Sequence, residues 1–191
     1  MFIKKLFVSL LIVLMISPAL IAQDNISPER KKAIDTLALE KVRDLSKYIS
    51  IVGNKETAWA EANRVIDRAL ELFMDGSEIG VSSLYRKEVR YYKVKTYLER
   101  LMRLNYDKVS IEWYNIEYVS DLERQPDGRY VGVITVYQRF EGITKEGLKY
   151  VDTTKKDITI YVERKETQID GISIGFWDVM LGDIRVKETS K

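Results

Sequence analysis

At Tyr106 the hydrophobic period of the chain changes, and that change constrains the fold more than any other feature. Upstream, apolar residues recur in steps of three and four; downstream they alternate. Helices therefore precede strands, which points to an α+β domain with helices packed into a sheet.

The first helical pattern starts at Ser27-Pro28-Glu29, which supplies an N-cap, a proline suited to the first turn and an acid that favours the helix N-terminus. Ile34, Ala38, Val42, Leu45, Ile49 and Val52 then form one stripe, and Gly53 ends it. This stripe can pack on its own domain or offer a helix to a partner. The second pattern starts near Asn54, places Trp59, Ala62, Ile66, Ala69, Leu70 and Phe73 on one face, and closes at Asp75-Gly76. From Glu78 to Tyr92 the chain reads as irregular or partly extended. A third, shorter helix from about Lys93 turns Val94, Tyr97, Leu98, Leu101 and Leu104 inward, with Asn105 as its C-cap.

The alternating half holds four strand patterns. Asp107 to Ser120 puts Val109, Ile111 and Trp113 on one face, and then Ile116 and Tyr118 continue that face with opposite parity. A phase slip of this kind is what a β-bulge produces, and bulges bend sheets. Pro126-Asp127-Gly128 is a turn that leads into Arg129–Phe140, a strand apolar on both faces. Tyr150–Glu163 and Ile172–Val186 follow, joined at Asp170-Gly171, with a second bulge expected at Gly182-Asp183.

This order of elements, with strand text such as Tyr130-Val131-Gly132-Val133-Ile134-Thr135-Val136-Tyr137-Gln138-Arg139-Phe140, resembles the nuclear-transport-factor-2-like superfamily over Lys55 to Thr189. The resemblance implies a cone: helices held in a curved, bulged antiparallel sheet of about four to six strands. It implies no single activity, because that superfamily includes isomerases, dehydratases, epoxide hydrolases and many non-catalytic binding or assembly domains. It also suggests dimerisation through the open sheet face.

Composition narrows the chemistry. The chain contains no His and no Cys. A Ser-His-Asp relay, a thiolate nucleophile, a disulfide and the usual nitrogen ligands for zinc are therefore excluded, as is the His-dependent dehydratase chemistry of some relatives. Carboxylate, Tyr, Lys and Arg chemistry remains, or binding without chemistry. No phosphate loop, dinucleotide fingerprint or calcium-loop spacing occurs, so neither a cofactor nor a metal is expected.

The N-terminus reads as a secretory leader. Lys4 and Lys5 precede an apolar run from Leu6 to Ile16 interrupted only by Ser9; Ser17-Pro18 breaks it, and Ala22 before Gln23 offers a cut. Leu6 to Ala22 is 17 residues, short of the roughly 20 that span a bilayer. The competing reading is a retained anchor, which would put the protein on a membrane and which a mature N-terminus at Gln23 would exclude. The expected organisation is a leader over 1–22, an amphipathic helix over 23–53 and a cone-like domain over 54–191. A cleaved chain without Cys suits a bacterial periplasm or exterior. The formal charge is +2, and the two leader lysines account for all of it, so the remainder is neutral and nucleic acid is not an expected partner.

Two groups of residues are candidate sites. Between Arg86 and Arg103, seven basic residues stand against Glu88 and Glu99. Tyr85, Arg86, Arg90, Tyr91, Tyr92, Lys93, Lys95 and Tyr97 are its candidate binding residues, for an anionic glycan, lipid headgroups or an acidic protein face. The plainer alternative is a solvated surface balanced by nearby acids. Tyr114, Tyr137, Asp152 and Asp178 are candidates for the interior of the cone, where an isomerase-like arrangement needs a buried Asp base and hydroxyl donors. Their plainer reading is solvated or ion-paired acids and core tyrosines.

The leading expectation is a non-catalytic binding or assembly domain contacting another envelope protein. Its alternatives are a small pocket enzyme using Asp and Tyr acid–base chemistry on a hydrophobic substrate, or an envelope-complex subunit tethered by an uncleaved N-terminus. A cavity in which an Asp of strongly raised pKa faces a Tyr hydroxyl favours the enzyme; aromatic side chains filling the cone disfavour it.

Overall fold

Residues 26–191 are described in a computed structural model of the chain. The leader expected over 1–22, with its cut near Ala22, lies outside the described residues. Helix α1 (Pro28–Gly53) begins where the sequence signals it, with the Ser27 hydroxyl accepting from the Arg30 N–H at 3.3 Å. All six stripe residues from Ile34 to Val52 are buried in the core the helix shares with the sheet. Each large aliphatic side chain so buried contributes about 1.5–3 kcal/mol.

Helix α2 (Trp59–Leu70) starts later than its periodicity suggests. The Asn54 side chain accepts from the Glu56 N–H at 2.9 Å, and the Thr57 hydroxyl donates to the Ile51 carbonyl at 2.8 Å, so residues 54–58 form a turn. Trp59 then falls in the first turn and is 60% exposed, a correction to its inward assignment; Ala62, Val65, Ile66 and Ala69 make the buried face. The segment expected to be irregular or partly extended is a hairpin, β1 (Glu78–Ser83) and β2 (Arg86–Lys93). Alternation is obscured in β2 because it is an edge strand and almost fully exposed. Helix α3 (Val94–Met102) buries Val94, Tyr97, Leu98 and Leu101 and ends before Asn105, so Leu104 lies beyond it.

Strands β3 (Lys108–Arg124), β4 (Tyr130–Ile143), β5 (Lys149–Ile169) and β6 (Ile172–Ser190) complete a six-stranded sheet of order β2-β1-β6-β5-β4-β3. Its neighbours are antiparallel except for β1 and β6, which run parallel. Both expected bulges are present. The β3–β4 register shifts between Tyr114 and Glu117, with Asn115 at a φ of 48°, and Gly182-Asp183 face a single residue of β5. The Asp183 carboxylate accepts from the Glu78 N–H at 2.9 Å, which ties the second bulge to β1.

The bulges curl the sheet around the helices. Ile134, Val136, Ile158, Ile160, Val162, Val179, Leu181 and Ile184 form the concave floor of the packed region and are fully buried. Helices set in a curved, bulged sheet make this an α+β cone.

Candidate functional site

The concave face is not packed along its whole length. A cavity of about 390 Å³ opens between the β1–β2 hairpin, α3 and the ends of β3, β4 and β5, and α1 contributes nothing to its lining. Strand β5 forms its floor. Tyr150, Asp152, Thr154 and Lys156 have the same parity and point to one side of the sheet, where all four line the cavity. Phe140 and Gln138 do the same from β4, and Tyr97 closes the space from α3.

Aromatic rings make one wall. Tyr106 packs edge-on against Phe140 with centroids 5.7 Å apart, Phe140 lies 5.9 Å from Tyr150, and Tyr85 lies 5.6 Å from Tyr150. The backbone of Gly142 permits this arrangement: a Cβ there would come within 2.8 Å of the Tyr106 ring. The aromatics line the cavity without filling it.

The floor beside these rings is ionisable. Asp152 is 5% exposed, and the Tyr150 hydroxyl donates to its Oδ2 at 2.5 Å. The Tyr150 oxygen accepts from the Leu84 N–H at 3.1 Å and lies 3.2 Å from the Ser83 hydroxyl. The hairpin thus fixes Tyr150, and Tyr150 fixes the carboxylate. Burial raises the Asp152 carboxyl above its ordinary value, while the Tyr150 hydrogen bond and the Lys156 charge pull it back. Burial also raises the Tyr150 hydroxyl, and its bond to Asp152 adds to the effect.

Lys156 is 2% exposed. Its Nζ donates to Gln138 Oε1 at 3.1 Å, and the same oxygen accepts from the Trp113 indole N–H at 3.1 Å. The ammonium lies 5.8 Å from the centroid of the Tyr97 ring. Burial lowers the Lys156 amine to about 8, even though Asp152 attracts the charged form. The Tyr97 hydroxyl is pushed up, by burial first and by Asp152 second.

Of the four interior candidates, only Asp152 lines the cavity. Tyr114 and Tyr137 stack on each other with centroids 5.7 Å apart, Tyr114 is 40% exposed, and neither lines the cavity. Tyr137 has the parity opposite to Gln138, which puts it on the other side of β4. Asp178 pairs with Lys165 at 2.6 Å and lies 4.0 Å from Lys41, away from the cavity. The sequence pattern did not single out Tyr150 and Lys156, although they share the parity of Asp152.

The basic, Tyr-rich segment does not form one surface. Tyr85 and Arg86 border the cavity, and Tyr97 is buried in it. Arg90 and Lys95 are exposed. Tyr91 lies under the Arg185 guanidinium and Tyr92 under that of Arg100, each at 4.6 Å. Lys93 pairs with Glu78 at 3.1 Å and donates to the Gly76 carbonyl at 2.7 Å.

No family model matches the chain. No curated protein matches it. Two solved structures are similar. One is a protein named as a scytalone dehydratase from Novosphingobium aromaticivorans DSM 12444, at 12% identity and a TM-score of 0.43, covering 85% of this chain and 90% of the other. The second is a type 2 hexachlorocyclohexane dehydrochlorinase (LinA), at 14% identity and a TM-score of 0.41, covering 85% and 91%.

Both names are those of enzymes, against the expected non-catalytic binding or assembly domain. At these values the likeness concerns the fold alone. The architecture is the α+β cone implied by the resemblance to the nuclear-transport-factor-2-like superfamily.

Proposed function

We propose that the protein is a small pocket enzyme that moves a proton on a hydrophobic substrate, with Asp152 as the general base. The observation behind this reading is the Asp152–Tyr150 pair at 2.5 Å in a cavity that aromatic and aliphatic side chains also line. A carboxylate stripped of water binds a proton more tightly than a solvated one, and so removes a carbon-bound proton more effectively. Tyr150 is a positioning residue. It holds one carboxylate oxygen through its own hydroxyl, leaving the other oxygen for substrate. Phe140, Tyr106 and Tyr85 supply apolar surface for the substrate body. With the leader removed, this activity would operate outside the cytoplasm.

The experiment is the ring opening of nitrobenzisoxazole, a flat apolar C–H acid. A base removes the carbon-bound proton, the N–O bond breaks, and a coloured cyanonitrophenolate forms. The protein should exceed an equal concentration of acetate, and Asp152→Asn should lower kcat/KM by about 10²–10⁴-fold. The rate should rise with pH through a midpoint above the ordinary aspartate value, because only the ionised carboxylate accepts the proton. An Asp152→Asn variant as fast as the wild type would contradict the assignment.

A further inference from the structure

The acid–base reading uses Asp152 and Tyr150 and leaves Lys156 without a task. A lysine 2% exposed in a cone with abundant aliphatic side chains is not there for packing, since burying an ammonium is unfavourable unless it is fully paired. Its visible acceptor is one amide oxygen, Gln138 Oε1, which Trp113 also uses. Trp113 and Gln138 together fix the amine at the cavity wall. Tyr97 faces it from α3 and Asp152 from its own strand, with Arg86 and Lys149 among the other charged groups lining the cavity.

We infer that Lys156 is a nucleophilic amine that condenses with the carbonyl group of a hydrophobic aldehyde or ketone held in the cavity. The geometry places an amine and a carboxylic acid on one strand of the cavity floor, beside aromatic rings that can hold the remainder of such a molecule. The Nζ lone pair forms a bond to the carbonyl carbon. The carbonyl oxygen leaves as water with the two amine protons, Asp152 relaying a proton, and an imine remains. No oxidant or reductant is consumed, and water reverses the step. Once protonated, the imine draws electrons from the carbon next to the former carbonyl carbon; Asp152 would then take a proton from that α-carbon, leaving an enamine.

The amine is suited to this role. With its pKa lowered to about 8, about a tenth of it is neutral at pH 7, against about three in ten thousand for an ordinary lysine. The inference names the substrate class for the site proposed above and rests on that reading.

The test is trapping with cinnamaldehyde and sodium cyanoborohydride at pH 7, read by intact mass and peptide mapping. A single reduced adduct should form on Lys156 at least tenfold faster than on Lys145, Lys149 or Lys155. Lys156→Met and Lys156→Arg should both lose it, the second keeping the charge without a nucleophile. Equal labelling of the exposed lysines, or undiminished labelling in Lys156→Arg, would overturn the inference. Nitrobenzisoxazole opening needs no imine. If it proceeds while Lys156 stays unlabelled, the imine fails and the base at Asp152 stands. If Lys156 is labelled and the ring does not open, the amine stands and the base fails.

Discussion

Strand β5 carries Asp152, Thr154 and Lys156 and then Ile158, Ile160 and Val162, six successive positions on one face, all buried. The strand geometry is the same throughout, and what lies over it differs. Ile158, Ile160 and Val162 belong to the core shared with α1, whereas the first three residues line a cavity to which α1 contributes nothing. One half converts burial into stability. The other buries a carboxylate and an amine, each of which burial destabilises in its charged form. On the proposed reading, the fold separates stability from chemistry along a single strand.

Substitutions in the two halves should behave differently. The largest effect is the loss of about 10²–10⁴-fold in kcat/KM for Asp152→Asn, with the fold intact by circular dichroism. Ile160→Ala, in the packed half, should lower unfolding stability by about 2–5 kcal/mol in urea titrations, with the lost apolar area and the cavity left behind both contributing. Lys156→Met should act in the opposite sense and raise stability by about 1–3 kcal/mol, since a buried amine gives way to an apolar side chain of similar length. The smallest effect is Ser27→Ala, about 1 kcal/mol of destabilisation from the lost N-cap of α1, visible as a lower Tm with no change in ring opening. If Lys156→Met proves as damaging as Ile160→Ala, the division of β5 into two halves fails.

Much of this frame was legible in the residues. The α1 stripe, the phase slip between Trp113 and Ile116, the turn at Asp170-Gly171 and the bulge at Gly182-Asp183 each rest on local rules of period or backbone conformation. The site was less legible. Beyond Ile158 the alternation of Ile158, Ile160 and Val162 with Thr159, Tyr161 and Glu163 identifies the inner face. Before it, Tyr150, Asp152, Thr154 and Lys156 alternate with Val151, Thr153, Lys155 and Asp157, and both faces are equally mixed. Extending the parity of Ile158 backwards selects Tyr150 and Lys156 together with Asp152. Tyr114 and Tyr137 were misplaced because their orientation depends on the register across β3 and β4. The basic segment is continuous only along the chain, since the turn from β2 into α3 sends its side chains in different directions.

The most direct test of the division is the stability difference between the wild type and Lys156→Met, followed by urea unfolding from pH 7 to above pH 10. In the wild type the unfolded chain holds the Lys156 proton up to about its ordinary value of 10.5, while the folded chain releases it near pH 8. The cost of burying this amine is therefore complete below about 8 and fades as the pH climbs towards 10.5. The account predicts that Lys156→Met is the more stable protein at pH 7 and that its advantage shrinks across that interval. A variant less stable than the wild type at pH 7, or an advantage that does not change with pH, would show that Lys156 belongs to the packing and contradict the central claim.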